Sequence, residues 1–422
     1  MKKFTKVLAL VLALSIVVVA FAACSGNGGN EDTTAPAGEE TGNADLANIK
    51  VGFIFLHDPS QSTYDDNFYQ AAKNVQKELG LTDEQVIYKW NIPEEGTDCY
   101  DTAADMVDEG CSVVFADSFG HESNMLKAAK DFPEVQFCHA TGTMAHTENV
   151  ANFHNAFASI YEGRFLAGVA AGLKLNEMIE AGKITAEEAK IGYVGAHPYA
   201  EVISGYTSFY LGARYVCPSA TMKVTYTNSW FDIALEKEGA LKLINDGCVL
   251  ISQHADSEGA PKACEEKQVP NVAYNKSTID LGPTTAIISS KINWEPYFKL
   301  MIENTAKGEE IPADYTGTVA TGSVELTEIN DKAAAAGTAE KIEEVKAKLA
   351  DGSLKVFDTA SFKVDGKALD AETLADVDTD DAFTPDTKVV KTENDISYFA
   401  ESEFRSAPYF AVIIDGIEVE AA

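Results

Sequence analysis

The chain has 422 residues, 45% hydrophobic and 23% charged, a globular composition long enough for two medium α/β lobes. Its 66 acids against 33 bases give a formal charge of −33. Such a surface repels nucleic acid and anionic headgroups and favours neutral or cationic ligands, so no nucleic-acid partner is expected.

The first stretch is an address. Lys2, Lys3 and Lys6 precede an apolar run from Val7 to Phe21, and Ala22-Ala23-Cys24 closes it. The run is shorter than the ~20 apolar residues of a membrane span and reads as an export signal over residues 1–23. Cys24 resembles the modified cysteine of a bacterial lipobox, with simple cleavage as the alternative. Residues 24–48 hold Gly, Asn, Thr, Glu and Ala with almost no large apolar side chain, the composition of a flexible tether.

The folded body starts at residue 49. Lys50–Leu56 is a near-continuous apolar strand, and a helical pattern from Tyr64 to Leu79 is ended by Gly80. Strands at Val86–Trp90, Ser112–Ala116 and Val135–His139 alternate with helices at Tyr100–Asp108 and Ser123–Asp131. A long helix is expected over Asn155–Leu175, its glycines 163, 168 and 172 permitting close packing. The second half repeats the alternation: strands at Lys190–Val194, Met222–Tyr226, Cys248–Ser252 and Asn271–Tyr274, helices at Glu201–Tyr215, Ile233–Asn245 and Ala260–Lys267. Right-handed crossovers then give a doubly wound parallel sheet in each half. The helix Trp294–Lys307 is expected to return to the first lobe, making several crossings and a hinge. These divisions put lobe 1 at about 49–160 and 278–320 and lobe 2 at about 161–277 and 321–369. Residues 370–422 are left as an acidic C-terminal extension.

An internal repeat marks the strand ends. Glu109-Gly110-Cys111 leads through Val113-Val114-Phe115 to Ala116-Asp117-Ser118, and Asp246-Gly247-Cys248 leads through Val249-Leu250-Ile251 to Ala255-Asp256-Ser257, with two extra residues in the second copy. Open α/β sheets bind ligands at such carboxyl ends, although Ala-Asp-Ser is also a common helix N-cap.

Enzyme chemistry finds no support. The chain lacks GxSxG, HExxH, a P-loop and a complete GxGxxG, and no CxxC or Cys/His spacing suits a metal, so neither metal nor cofactor is expected. His254, Asp256 and Ser257 name a triad, yet neighbours on one strand end point in different directions. Binding fares better. Tyr64 follows the first strand, Asp117 and Phe119 the third, Trp230 lies in Asn228-Ser229-Trp230-Phe231-Asp232, and His254 and Asp256 end the repeated strand. Aromatic faces beside single carboxylates suit a planar heterocycle with N–H or O–H donors, and also a sugar.

Several stretches carry a resemblance: KVGFIFLHDPSQSTYDDNFYQAAK, FCHATGTMAHTENVANFHNAFASIYEGRFLAGVAAG, EVISGYTSFYLGARYVCP, NSWFD, QHADSEGAPKACEEK and INWEPYF. From about Ile49 to Gly366 the chain resembles the basic-membrane-protein (Bmp, or PnrA/Med-like) family of substrate-binding lipoproteins of ABC transporters. The resemblance implies an α/β type I periplasmic-binding-protein fold, two Rossmann-like lobes closing on a ligand in the cleft between them. It implies a purine nucleoside or purine base as ligand, an ABC permease as partner, and a lipid anchor at Cys24 on the extracytoplasmic face of the cell membrane. Tyr64 falls where the subgroup has a stacking ring, Asp117 resembles a ligand-contacting Asp, and Asp256 lies in the segment supplying the second lobe's polar contact. Trp230 and Asn275 lie in matching segments. A sugar receptor of the same fold and a ligand sensor for a membrane signalling partner are the alternatives.

Overall fold

The computed structural model describes residues 45–377 and 385–420. The export signal, Cys24 and the tether up to residue 44 lie outside them. Strands β1 (Val51–Ile54), β2 (Val86–Lys89), β3 (Val113–Ala116), β4 (Gln136–Ala140) and β5 (Phe153–Ala158) alternate with helices α1 (Thr63–Glu78), α2 (Asp98–Asp108), α3 (Glu122–Asp131) and the single turn α4 (Ala145–Glu148). Helix α5 (Ile160–Glu180) leads to β6 (Lys190–Gly195), α6 (Ala200–Val216), β7 (Thr221–Tyr226), α7 (Ile233–Asn245), β8 (Leu250–Gln253), α8 (Gly259–Lys267), β9 (Asn271–Tyr274) and β10 (Ala286–Ile292). After them come α9 (Glu295–Lys307), β11 (Asp314–Gly317), β12 (Val324–Leu326) and α10 (Thr338–Ala350).

These strands make two sheets, ordered β11-β5-β4-β3-β1-β2 and β12-β10-β9-β8-β6-β7-β17, where β17 is Ile417–Val419. Every pairing within them is parallel except β10 with β12. Strand order reverses at β1/β3 in the first sheet and at β6/β8 in the second, and ligands of open α/β sheets sit at such switch points. The all-buried runs of β1, β3, β8 and β9 are what two-sided helical cover demands.

Local chemistry explains the element ends. Ser62 caps α1 by accepting from the Asp65 N–H at 3.2 Å, and Gly80 beyond the helix holds φ 67°. Helix α5 is buried nearly all round, and α6 crosses it so closely that a Cβ on Gly168 or Gly212 would strike the backbone of the opposite helix. In the first lobe Trp294 stacks on Phe68 with centroids 4.3 Å apart, and Phe298 meets Phe115 at 4.8 Å, so the INWEPYF stretch packs the core.

The structure differs from three sequence expectations. Residues 153–158 form β5, and α5 begins only at Ile160: Phe153-His154-Asn155-Ala156-Phe157-Ala158 pairs between β4 and β11 before Ser159 starts the helix. Residues 278–292 do not join the first lobe, because β10 is buried on both faces and runs parallel to β9, with Ser290 beside Tyr274. The chain therefore crosses between the sheets at 158–160, 292–295 and 317–324. Asp45–Asn48, assigned to the tether, forms a 3-10 turn with Leu46 buried.

The C-terminal extension is folded onto the body. The short strands β13 (Leu374–Ala375) and β14 (Thr387–Lys388) pair, and β15 (Val390–Glu393) and β16 (Ile396–Phe399) form a hairpin whose turn residues Asn394 and Asp395 hold φ 50° and 65°. Phe410 stacks on Phe357 at 4.4 Å and meets Phe399 at 4.7 Å. The Ser406 N–H donates to Asp314 Oδ2 on the first sheet at 2.8 Å, while β17 extends the second sheet beside β7.

Candidate functional site

Where the two switch points face each other the chain encloses a narrow cavity of about 30 Å³. The first sheet contributes Leu56 and His57 after β1, Tyr64 and Asp65 from α1, Ser118 and Phe119 after β3, and Thr141 after β4. From the second come Glu201 at the start of α6, Trp230 after β7, His254 and Asp256 after β8, and Tyr274 ending β9. Strand ends deliver the polar groups because backbone pairing stops there and the carboxyl-terminal loops are free to turn inward.

The two walls already touch. The Asp256 carbonyl accepts from Thr63 N–H at 3.0 Å and from Thr63 Oγ1 at 2.8 Å, and His57 and Phe231 bring their rings to 5.5 Å. A wider mouth opens beside Trp230 toward His197 and Phe231.

The sequence-selected residues divide into those on the cavity and those behind it. Tyr64, Phe119, Trp230, His254 and Asp256 line it. Asp117 is fully buried behind it, its Oδ1 accepting from Leu56 N–H at 3.1 Å, while its carbonyl accepts from Tyr64 Oη at 2.8 Å. Burial first, and the adjacent Asp65 carboxyl second, hold the Asp117 acid protonated well above the usual range. Asp117 Oδ2 is buried without a hydrogen-bond partner. Asn275 also sits behind the cavity, at φ 71°, with Nδ2 donating to Asp256 Oδ1 at 3.0 Å. It orients a cavity carboxyl.

Residues the sequence reading passed over complete the site. Arg164 of α5 is buried, and its Nη1 donates to Tyr193 Oη and to the Gln253 carbonyl, both at 2.8 Å. Its Nη2 lies 3.1 Å from His254 Nδ1, and its guanidinium stacks 3.6 Å over the Tyr274 ring. Because an arginine can only donate, Nδ1 must accept, and the neutral imidazole carries its proton on Nε2, 3.3 Å from Glu201 Oε1. Burial, and next the Arg164 charge, push the His254 pKa down to about 4 against the pull of Glu201. Asp65 accepts from the His57 N–H at 2.8 Å. Signals existed for these: Asp65 follows Tyr64 in the capped first turn of α1, and Glu201 opens the EVISGYTSFYLGARYVCP stretch.

The cavity thus sets aromatic rings beside Asp65, Asp256 and Glu201. Asp256 is held protonated by burial first and then by Glu236, Asp65 and Glu201. A neutral carboxylic acid offers one donor and one acceptor side by side, the complement of a heterocycle edge carrying a ring nitrogen next to an N–H. Among the described residues no three His, Cys, Asp or Glu side chains gather to hold a metal ion, and the six cysteines there are buried free thiols. Nor is any helix there long and apolar enough to cross a membrane.

Two facing doubly wound sheets crossed three times, with a cavity at their switch points, make the type I periplasmic-binding-protein fold. The model of the ABC transporter substrate-binding protein PnrA-like family, Bmp, matches residues 49–355. A purine-binding protein of Brucella abortus is 32% identical over 267 residues, 62% of this chain and 71% of that protein. A Haloferax volcanii protein, provisionally named an ABC transporter glucose-binding protein, is 28% identical over 71% of each chain. An ABC transporter solute-binding protein from Conexibacter woesei has the same fold, with a TM-score of 0.60 at 19% identity over 73% of this chain and 98% of its own. The chain belongs to the PnrA-like Bmp family of ABC transporter substrate-binding proteins.

Proposed function

We propose that this protein is the lipid-anchored receptor of an ABC importer, tethered through Cys24 outside the cell membrane, and that it captures a purine base or nucleoside between its lobes. The observation that carries the ligand reading is the pairing of Tyr64, Phe119 and Trp230 with the protonated Asp256, since stacking faces and a donor–acceptor edge are what a purine ring uses. The Brucella relative's purine-binding name supports the same choice. Ligand touching both walls would favour the closed arrangement over an open one, so binding and closure are one equilibrium. An ABC permease would then take the loaded, closed form.

A sugar is the second reading, supported by the glucose-binding name of the Haloferax relative and by the carboxyls that could accept hydroxyl protons. Thermal shifts of the protein, stripped of ligand by unfolding and refolding, separate the two, because a ligand of the native state alone raises the melting temperature. A rise with adenine, guanine or their nucleosides and none with hexoses is expected. Rises confined to hexoses would replace the purine with a sugar. The anchor is tested by mass spectrometry of the membrane fraction: a diacylated Cys24 is expected, and an unmodified mature terminus would remove the lipid.

A further inference from the structure

The C-terminal extension is held by both lobes, and the two sets of attachments alternate along its chain. On the second-lobe side, the Tyr161 hydroxyl in the first turn of α5 donates to the Glu401 carbonyl at 3.3 Å. The next residue is held by the other lobe: the Thr316 hydroxyl of β11 donates to the Ser402 carbonyl at 3.4 Å, and the Ser406 N–H donates to Asp314 Oδ2 at 2.8 Å. Phe410 then returns to the second lobe, stacked on Phe357, whose ring lies 5.2 Å from that of Tyr161. At the end β17 pairs with β7, and Glu420 forms ion pairs with Lys223 and Lys242.

Slack between these points is small. Glu401 and Ser402 are neighbours, with Cα atoms about 3.8 Å apart, and the chain from Ser406 to Phe410 spans about 14 Å at most. Swinging the first lobe away from α5 must therefore break hydrogen bonds or pull Phe410 off Phe357. Arg405 adds charge to the same seam, lying in the field of Asp376 and Glu401 from the extension and of Asp314 from β11. The extension also reaches past the hinge to the edge of the cleft, where Arg405 and Pro408 stand beside Thr143 of the first lobe and Tyr199 of the second. We propose that the extension, through residues 401–420, is a strap across one flank of the cleft, a fourth link beside the three chain crossings, and that it limits how far the lobes open when no ligand is bound. The strap lies outside the family match, which ends at residue 355, and its action rests on the two-sheet fold rather than on the identity of the ligand.

Double electron–electron resonance on the ligand-stripped protein measures the opening directly. The chain from Ser25 onward carries spin labels at Asp98→Cys on the first lobe and Glu238→Cys on the second, both exposed positions, while the six cysteines among the described residues are buried. With the strap intact, one narrow distance distribution is expected, within a few ångströms of the separation in the structure. Two variants loosen the strap from the first lobe at residues that do not line the cavity. Asp314→Ala combined with Thr316→Val removes the acceptor for Ser406 and the donor to Ser402, and Ser406→Pro removes the N–H from the other side. Each is expected to lengthen the mean distance by several ångströms and to broaden the distribution, as a freed hinge would. An intact strap whose distribution is as long and broad as that of the variants overturns the proposal, and so do folded variants that match a short, narrow one. Melting curves show which variants fold. Should neither do so, the intact chain decides alone, because a strap that limits opening is incompatible with a broad distribution reaching far beyond the separation in the structure.

Discussion

The two copies of the internal repeat fold alike and then diverge at the residue that matters. Gly110 and Gly247 both take positive φ, 91° and 86°. The following cysteine donates back to the helix in each copy, Cys111 N–H to Met106 at 2.9 Å and Cys248 N–H to Leu243 at 3.0 Å. Both strands, β3 and β8, then flank the switch point of their sheet. Yet Asp117 follows its strand immediately and turns back to Leu56, whereas His254 and Ala255 carry Asp256 two residues further, onto the cavity. The extra residues separate a carboxyl buried behind the cavity from one that lines it. Equal signals in sequence thus have unequal roles.

Breaking the second copy should have the largest effect. Asp256→Ala is expected to weaken ligand binding by about 1–3 kcal/mol, the worth of a buried hydrogen bond, with Asn275 losing its acceptor as well. Titration calorimetry measures it, and wild-type affinity would remove Asp256 from the site. Next comes pH. The His254 imidazole is neutral in the fold with its pKa pushed down to about 4, while the unfolded chain titrates near ~6.5. The unfolded state therefore binds the extra proton first, and this group's stabilisation is lost as pH falls from about 6.5 toward 4. His254→Gln should flatten that part of the melting-temperature profile relative to the wild type; a parallel profile contradicts the buried neutral imidazole.

Smaller effects sharpen the likeness of the copies. Gly110→Ala and Gly247→Ala should each cost about 1 kcal/mol, and by similar amounts, since both demand left-handed backbone and neither has a Cβ clash to add. Chemical denaturation measures the pair, and a several-fold difference would break the equivalence. Least of all should follow from Asp117→Asn. The native acid is protonated, so a neutral amide of the same shape should leave ligand affinity within about twofold. A tenfold loss in calorimetry would return Asp117 to direct contact.

Much of the architecture was legible because period and punctuation coincide. Continuous apolar runs such as Val51–Ile54, closed by glycines such as Gly80, mark a two-sided sheet and its helix ends without tertiary knowledge. The strand β5 was missed because its residues run without a break into a helix of the same small and apolar composition, and only pairing with β4 and β11 distinguishes them. The same holds for β10, whose lobe is decided by its partner β9. At the site, the aromatic residues and Asp256 could be read from strand ends. Arg164 could not, since it reaches His254 from the middle of the linear sequence, 90 residues away. The docking of the extension depends likewise on contacts to Asp314 and β7 that no local pattern encodes.

Electron density for adenosine diffused into crystals of the ligand-stripped protein tests the central claim most directly. The base is predicted between the two walls, its edge at Asp256 and its face at Phe119 or Trp230, with Asp117 out of contact. Density outside the cavity, or none beside Asp256, would contradict the account.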